Sequence, residues 1–469
     1  MPTTKTRGRA ASALPGVSAL LVALAVPLAG CDLNKLLDVP DPAVATPGAL
    51  EGPQSLPILL AGAQTDFQLA FSGSSGSEGI VNMTGLFTDE LHYTSTFPTR
   101  VQVDRREITP DNGTMETIHR NLQRARASAD RAARAYTQHG PNALGHAEAL
   151  NLHGFSVILL GESYCSGVPF STLTAAGATE FGQPLTTEQM FQAALTSFDQ
   201  ALAVATQAGS AAAAVQQQNL ARVGRARALL NLGRFADAAA AAQDVPTSFV
   251  YRIFHSENSA RQHNAAFSFM YLERRWSVAD REGGGLPFRS DNDPRVPWAR
   301  GTGAQAVGFD ESPLYLQLKY PNRSASVVLA SGLEARLIQA EAALEAGQAN
   351  WLTILNDLRA NPPAESFPAA QYPGIGGLTP LADPGTQAAR VDLLFKERAY
   401  WMYLTAHRLG DARRLMRQYG RTQAQAFPTG EWGVWIAAKS GEYGSDVNFP
   451  IPLDEENNPH FTQCLDRNS

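Results

Sequence analysis

Trp276, Trp298, Trp432 and Trp435 lie in or beside irregular segments, not on a periodic apolar stripe, and Tyr93 and Phe97 follow Asp89-Glu90 in another such segment. Rings placed this way can meet the C–H face of a sugar while Asn, Asp and Arg take its hydroxyls. The residues expected to bind a ligand are Trp276, Trp298 and Tyr93 as stacking platforms, with Asp89 and Arg100 as polar partners. The same rings could pack the loops onto a frame, and the sequence leaves both roles open.

Catalytic constellations are weaker. Asp89-Glu90 and Asp291/Asp293 sit where a glycosidase could hold two acids. Adjacency does not set the separation of roughly 5–10 Å across a glycosidic bond. Ser72-Gly-Ser-Ser-Gly-Ser77 reads as a flexible linker and lacks the strand-to-helix elbow of a serine hydrolase. Gly374-Ile-Gly376-Gly377 reads as a turn, and neither a P-loop nor a dinucleotide fingerprint occurs. The nine histidines are scattered. His146 and His153, seven apart on one helix, stand about 10 Å apart along its axis, too far to share one ion. No metal and no cofactor is expected.

The 469 residues suffice for two or three ordinary domains or one large helical one. With 44% apolar and 17% charged residues the chain can fill a core, which argues against disorder. The formal charge of −6 gives a nucleic-acid partner no electrostatic footprint. Three cysteines exclude a disulfide-dense scaffold.

Residues 1–30 form an address. Lys5, Arg7 and Arg9 precede an apolar run from about Ala13 to Leu28, interrupted by Pro15, Gly16 and Pro27. It is short and flawed for a spanning helix, which wants about 20 clean apolar residues. Leu28-Ala29-Gly30-Cys31 resembles a bacterial lipobox, in which the cysteine is acylated and becomes the new N-terminus. Two acyl chains on Cys31 would hold the chain stably on a bilayer. Residues 31–52, rich in proline, read as a tether, and 53–469 as one body. With Cys31 used, Cys165 and Cys464 remain. They are either a disulfide or two separate buried thiols. A bond closing so long a loop would stabilise by roughly 5 kcal/mol if the chain-entropy relation extends that far.

Helical periodicity must position the loops. Met115, Ile118, Leu122, Ala125, Ala129, Ala132 and Tyr136 step by three and four, with Arg120, Arg124, Arg126, Arg131 and Arg134 on a face expected to be solvated or ion-paired. Gly140-Pro141-Asn142 ends that helix. Paired apolar patterns follow at 145–164 with 187–206, 217–232 with 234–243, 327–346 with 349–360, and 387–404 with 407–418. Gly233-x-Phe235-x-x-Ala238 resembles the turn and second helix of a tetratricopeptide repeat, where small residues let antiparallel helices approach. Long irregular stretches at 72–113, 165–180, 246–326 and 361–387 separate the pairs, and loops of this length are usually functional when ordered. The expected fold is mostly α: tetratricopeptide-like helical pairs forming a frame, with large loop-rich insertions.

A lipobox cysteine with a Pro-rich lead-in, and helical pairs with large insertions, resemble the SusD/RagB family of nutrient-binding outer-membrane lipoproteins. Glu397-Arg398-x-x-Trp401-Met402-x-x-Thr405-Ala406-x-Arg408-x-x-Asp411-Ala-Arg413-Arg414 is similar to the family's E-R-x-x-E-L-x-x-E-G-x-R-x-x-D-L-R-R. Glu397, Arg398, Arg408, Asp411, Arg413 and Arg414 match, whereas Trp401, Thr405 and Ala406 depart. Asn448-Phe-Pro450-Ile-Pro452-x-x-Glu455 resembles the closing F-P-I-P-x-x-E, and Leu160-Gly161-Glu162 with Gly167-Val-Pro169 a segment after the first repeat. The matched charges read as structural: Glu397, Arg398, Arg408 and Asp411 mark neighbouring turns whose charges can pair and fix register.

The resemblance implies a binding protein without enzymatic activity, anchored by lipid to the outer membrane and facing outward. It implies capture of oligosaccharides, or in some branches peptides, for a SusC-like TonB-dependent transporter. The family has no invariant binding motif, so it assigns no ligand residue here. Asp32, next to the lipid cysteine, would favour inner-membrane retention under the sorting rule of some bacteria, so surface placement rests on the resemblance. The competing readings are an envelope lipoprotein scaffold whose repeat groove holds a partner protein, and a surface glycosidase.

Overall fold

The computed structural model describes residues 52–469, apart from 175–177, 369–370, 373 and 434–438. Cys31, the signal and tether segments up to 51, and Trp435 lie outside the described residues.

The frame is a succession of antiparallel helices, each packed on the next. Helix α1 (Leu56–Ser72) lies along a later one, α4 (Gly113–His139). Between them in sequence come α2 (Ile80–Phe87), strand β1 (Leu91–Tyr93) and α3 (Pro98–Asp104). The stretch 72–113, expected to be irregular, is therefore largely built. Its serine–glycine segment is not a flexible linker either. Gly73 (φ 72°) turns the chain where a Cβ would stand 2.5 Å from the Ser77 carbonyl, and Ser74 N–H donates to that carbonyl at 2.8 Å.

In α4 the predicted apolar stripe is buried from Met115 to Tyr136. Asn112 caps the helix, its side-chain oxygen accepting from Thr114 N–H and Met115 N–H at 3.1 Å each. On the arginine face, Arg120 and Arg134 pair with Glu116 and Asp130 one turn away, and Arg124 and Arg131 are exposed. Arg126 departs from the expectation: it is buried, lies 4.7 Å over Phe170 and donates to the Ser171 carbonyl.

Next come α5 (Leu144–Ser163), α6 (Thr187–Gln207), α7 (Ala212–Asn231) and α8 (Phe235–Ala242), packed in series. Small residues set their spacing. The Phe198 ring of α6 meets Gly154 of α5 and Gly224 of α7, and a Cβ on either would come within 2.7 Å and 2.3 Å of it. The two histidines of α5 have ordinary polar partners, His146 the Pro141 carbonyl at 2.8 Å and His153 the Ser197 hydroxyl at 2.8 Å.

The insertion after α8 carries β2 (Val250–Ile253), β3 (Trp276–Val278), β4 (Trp298–Arg300), β5 (Tyr315–Gln317) and β6 (Val327–Ser331). These form antiparallel pairs: β1 with β3, β2 with β6, and β4 with β5. The expected helix from 327 begins only at 332, because the β-branched run Val327-Val328 extends beside β2 first. The chain then enters α9 (Gly332–Glu345), α10 (Asn350–Ala360), α11 (Gln387–Trp401) and α12 (Arg408–Tyr419).

The charged motif of α11 and α12 is buried, and each of its charged residues is paired or hydrogen-bonded. Arg398 and Arg414 both donate to Asp411, at 2.9 Å and 2.7 Å, and Arg414 also reaches Glu341 of α9. Burial alone would raise the Asp411 pKa, but these two guanidiniums outweigh it and hold the carboxylate well below its usual range. Arg413 donates to the carbonyls of Gly161 and Tyr164 at 2.8 Å and 3.0 Å, closing the end of α5. Arg398 and Asp411 do pair, but between the last turn of α11 and the first turn of α12 and not along one helix. Glu397 instead reaches outward to Arg295 (2.6 Å) and Arg359 (2.7 Å), and Arg408 to Asp89 (2.6 Å).

Cys165, just past α5, is disulfide-bonded to Cys464, with Cα atoms 5.8 Å apart. Around it Cys165 N–H donates to the Phe449 carbonyl and Leu465 N–H to the Ser166 carbonyl, so the closing Phe-Pro-Ile-Pro segment and the C-terminal tail both bind the end of α5.

Candidate ligand-binding face

The pairing of β1 with β3 sets Leu91 opposite Val278, His92 opposite Ser277 and Tyr93 opposite Trp276. Two of the expected stacking residues thus meet across one ladder, from positions 183 residues apart in sequence. Neither ring is available to a ligand. Tyr93 is 0% exposed and Trp276 1%, the latter stacked on Phe269 at 5.7 Å. The segment Ser268–Leu272 coils against β3 and covers Trp276 through Phe269, while Lys439 lies 5.5 Å from the Tyr93 ring centre, so both large rings return their apolar area to the core. They are the floor of the insertion, which corrects the expectation that they present stacking surfaces.

Asp89 is likewise used internally. Both its oxygens accept from Arg408, at 2.6 Å and 2.8 Å, and Oδ2 also accepts Leu286 N–H at 2.9 Å. Arg100, in the first turn of α3, donates through Nε to Glu78 at 2.7 Å. Burial lowers its pKa, but the Glu78 bond and charge more than compensate, and the net shift is upward. Trp298 is half-buried on β4, edge-to-face with Tyr315 at 5.7 Å.

What the floor carries outward are two phenylalanines. Phe97 is 46% exposed and Phe309 56%. Arg275 lies 4.5 Å and Arg100 5.5 Å from the Phe97 ring centre, and Arg274 lies 4.8 Å from that of Phe309. Thr94 fastens the three segments that bear them. Its N–H donates to the Arg275 carbonyl (2.7 Å) and its hydroxyl to the Arg274 carbonyl (3.0 Å), while its own carbonyl accepts Phe309 N–H (2.9 Å). Arg274 (φ 49°) and Glu311 (φ 69°) hold left-handed backbone without being glycine. Such strain persists only where the surroundings over-determine it. Leu272 and Val307 extend the exposed apolar surface.

A guanidinium lying on an exposed ring gives a surface an apolar face and fixed donors side by side. A polyhydroxylated ring matches that pattern. The acids weighed for catalysis are occupied: Asp291 accepts from Lys396 (2.7 Å) and Tyr400 (2.8 Å), Asp293 from Arg295 (2.7 Å). Burial lifts the Glu90 pKa to about 8. Among the described residues no group of three or more His, Cys, Asp or Glu could hold a metal ion. Sequence reasoning placed Phe97 in the right segment but not in the site, and missed Phe309. The available signal was their setting, Phe97 before Pro98 and Phe309 after Gly308, both off any periodic stripe.

A helical-repeat frame carrying large loop insertions defines a class of architecture, and solved structures share it. A SusD-like carbohydrate binding protein from Bacteroides vulgatus superposes with a TM-score of 0.61 at 14% identity, covering 87% of this chain and 97% of that one. Surface glycan-binding protein A from Bacteroides uniformis gives 0.61 at 13% identity, over 87% and 98%. A SusD/RagB family protein from Bacteroides thetaiotaomicron gives 0.61 at 12% identity, over 86% and 94%. The chain has the SusD-like fold. No family model matches the sequence, and no curated protein does.

Proposed function

We propose that the mature chain is a lipoprotein, anchored through Cys31 to the outer membrane and facing outward. On this reading it captures nutrient oligomers, oligosaccharides first, and delivers them to a SusC-like TonB-dependent transporter without transforming them. The observation that carries the reading is the pair of exposed rings, Phe97 and Phe309, each under a guanidinium on a SusD-like fold. Trp298 extends the contact surface, and Tyr93, Trp276, Asp89 and Arg100 support it from below. Two structural neighbours described as carbohydrate- or glycan-binding favour sugars over peptides. No helix among the described residues is long and apolar enough to cross a membrane, so the lipid is the attachment this reading requires.

One observation favours the scaffold reading. Helices α8, α9 and α10 bound a groove of about 930 Å³ lined by Phe235, Ile354 and several alanines, a surface suited to another helix. Co-purification of the tagged lipoprotein from native outer membranes in mild detergent separates the two. A large TonB-dependent barrel in near-equal amount supports importer capture. Periplasmic or assembly proteins without a barrel refute it and leave the scaffold.

A further inference from the structure

A second groove, of about 560 Å³, opens on the frame itself, between α1, α5, α7 and strand β2. Its size falls within the range of small-molecule sites, about 300–1,000 Å³. Five of its fifteen lining residues are glutamines. A primary amide offers both donors and an acceptor, as a hydroxyl does, so such a lining suits a ligand dense in hydroxyls.

Three details sharpen this. Glu148 accepts from Gln64 Nε2 (2.7 Å) and from the Tyr251 hydroxyl (3.0 Å), and both bonds fall on Oε1, so Oε2 takes neither. Gln216 is exposed on α7 and makes no side-chain hydrogen bond among the described residues. Phe254, directly after β2, is 76% exposed, the most exposed large hydrophobic residue among those described, and stacks on no other ring there. An apolar ring left in water beside unspent polar groups is the arrangement that a sugar ring satisfies, through its C–H face and its hydroxyls together. Charge argues for a neutral ligand. The groove carries one carboxylate, Glu148, against one guanidinium, Arg252, which is already donating to the Glu365 carbonyl.

We infer that this groove is a second binding site, for a neutral oligosaccharide segment, with Phe254 as the stacking ring and Gln64, Glu148 and Gln216 as hydroxyl partners. It shares with the proposed function only the class of ligand, since it stands on different elements from the Phe97–Phe309 face.

Two tryptophan reporters test the sites separately. F254W and F309W retain an aromatic ring at exposed positions where the fold does not depend on it. Each is titrated with maltohexaose, cellohexaose, xylohexaose and mannohexaose, and its emission is read against the wild-type protein. The expected result is a saturable change in F254W with at least one hexasaccharide. Adding Gln216→Ala to F254W should weaken that binding about tenfold, as expected for losing a hydrogen-bonding side chain. A response in F309W but in none of the F254W titrations overturns the groove and leaves the proposed function standing. A response in F254W alone sustains the groove and removes the Phe97–Phe309 face. Silence in both overturns both. A change in F254W that Gln216→Ala leaves untouched also overturns the groove assignment.

Discussion

Arg408, the first residue of α12, lays its guanidinium across both carboxylate oxygens of Asp89, 319 residues earlier in the chain, at 2.6 Å and 2.8 Å. This bidentate pair fastens the motif helices to the loop that leads into β1. Burial opposes the Arg408 charge, but the charge and hydrogen bond of Asp89 outweigh it and raise its pKa. Asp89→Asn leaves a buried guanidinium without its counter-charge. We expect a loss of stability of about 3–5 kcal/mol, typical of breaking one side of a buried pair. Urea unfolding followed by circular dichroism measures it. A midpoint equal to the wild type would show that the pair does not fasten the lobe.

The floor and the face should respond oppositely to truncation. Trp276→Ala removes a fully buried ring and is expected to cost about 3–5 kcal/mol. Phe309→Ala and Phe97→Ala remove half-exposed rings and should change stability by less than about 1 kcal/mol. Under the proposed function they should nevertheless weaken oligosaccharide binding about tenfold, the order of a lost ring contact. Isothermal titration beside thermal unfolding separates the two effects, and a stable F309A with unchanged affinity would count against the face.

Glu90 and Lys319 give the stability a pH signature. Burial raises the Glu90 pKa from 4.5 to about 8 and lowers that of Lys319 from 10.5 to about 7. Between pH 4.5 and 8 the folded chain keeps a proton on Glu90 that the unfolded chain releases, so this group's contribution falls as pH rises. Between pH 7 and 10.5 the unfolded chain holds a proton that folded Lys319 lacks, so that contribution rises with pH. Glu90→Gln keeps an acceptor for Leu404 N–H (2.7 Å to Oε1) and removes the falling limb. Relative to wild type, the variant should therefore gain stability steadily from pH 5 to pH 8 in denaturant titrations. A constant difference over that range would refute the assignment.

The disulfide between Cys165 and Cys464 spans a sequence separation of 299. Reducing it, or replacing both cysteines by serine, should lower stability by about 2–5 kcal/mol. Because the tail lies on the end of α5, Leu465 N–H and the neighbouring amides should also lose protection first in hydrogen exchange. Identical exchange in the reduced and oxidised protein would mean that the tail is held without the bond.

The sequence by itself determined the helical frame. Its periods of three and four, the Gly233-x-Phe235-x-x-Ala238 turn and the charged motif of α11 and α12 are local or repeated patterns, and the helices they predict are present, the one expected from 327 starting at 332. It also marked the aromatic-bearing loops, but in two separate segments, 72–113 and 246–326, which only the β1–β3 pairing brings together. It could not decide which rings face water. Tyr93 and Trp276 have the same local character as Phe97 and Phe309, and what separates them is the β1–β3 ladder and the coil at Ser268–Leu272 that covers it. The fate of Asp89 was hidden for the same reason, because its partner arrives from 319 residues away. Burial is a property of non-local contacts, and only the tertiary structure supplies them.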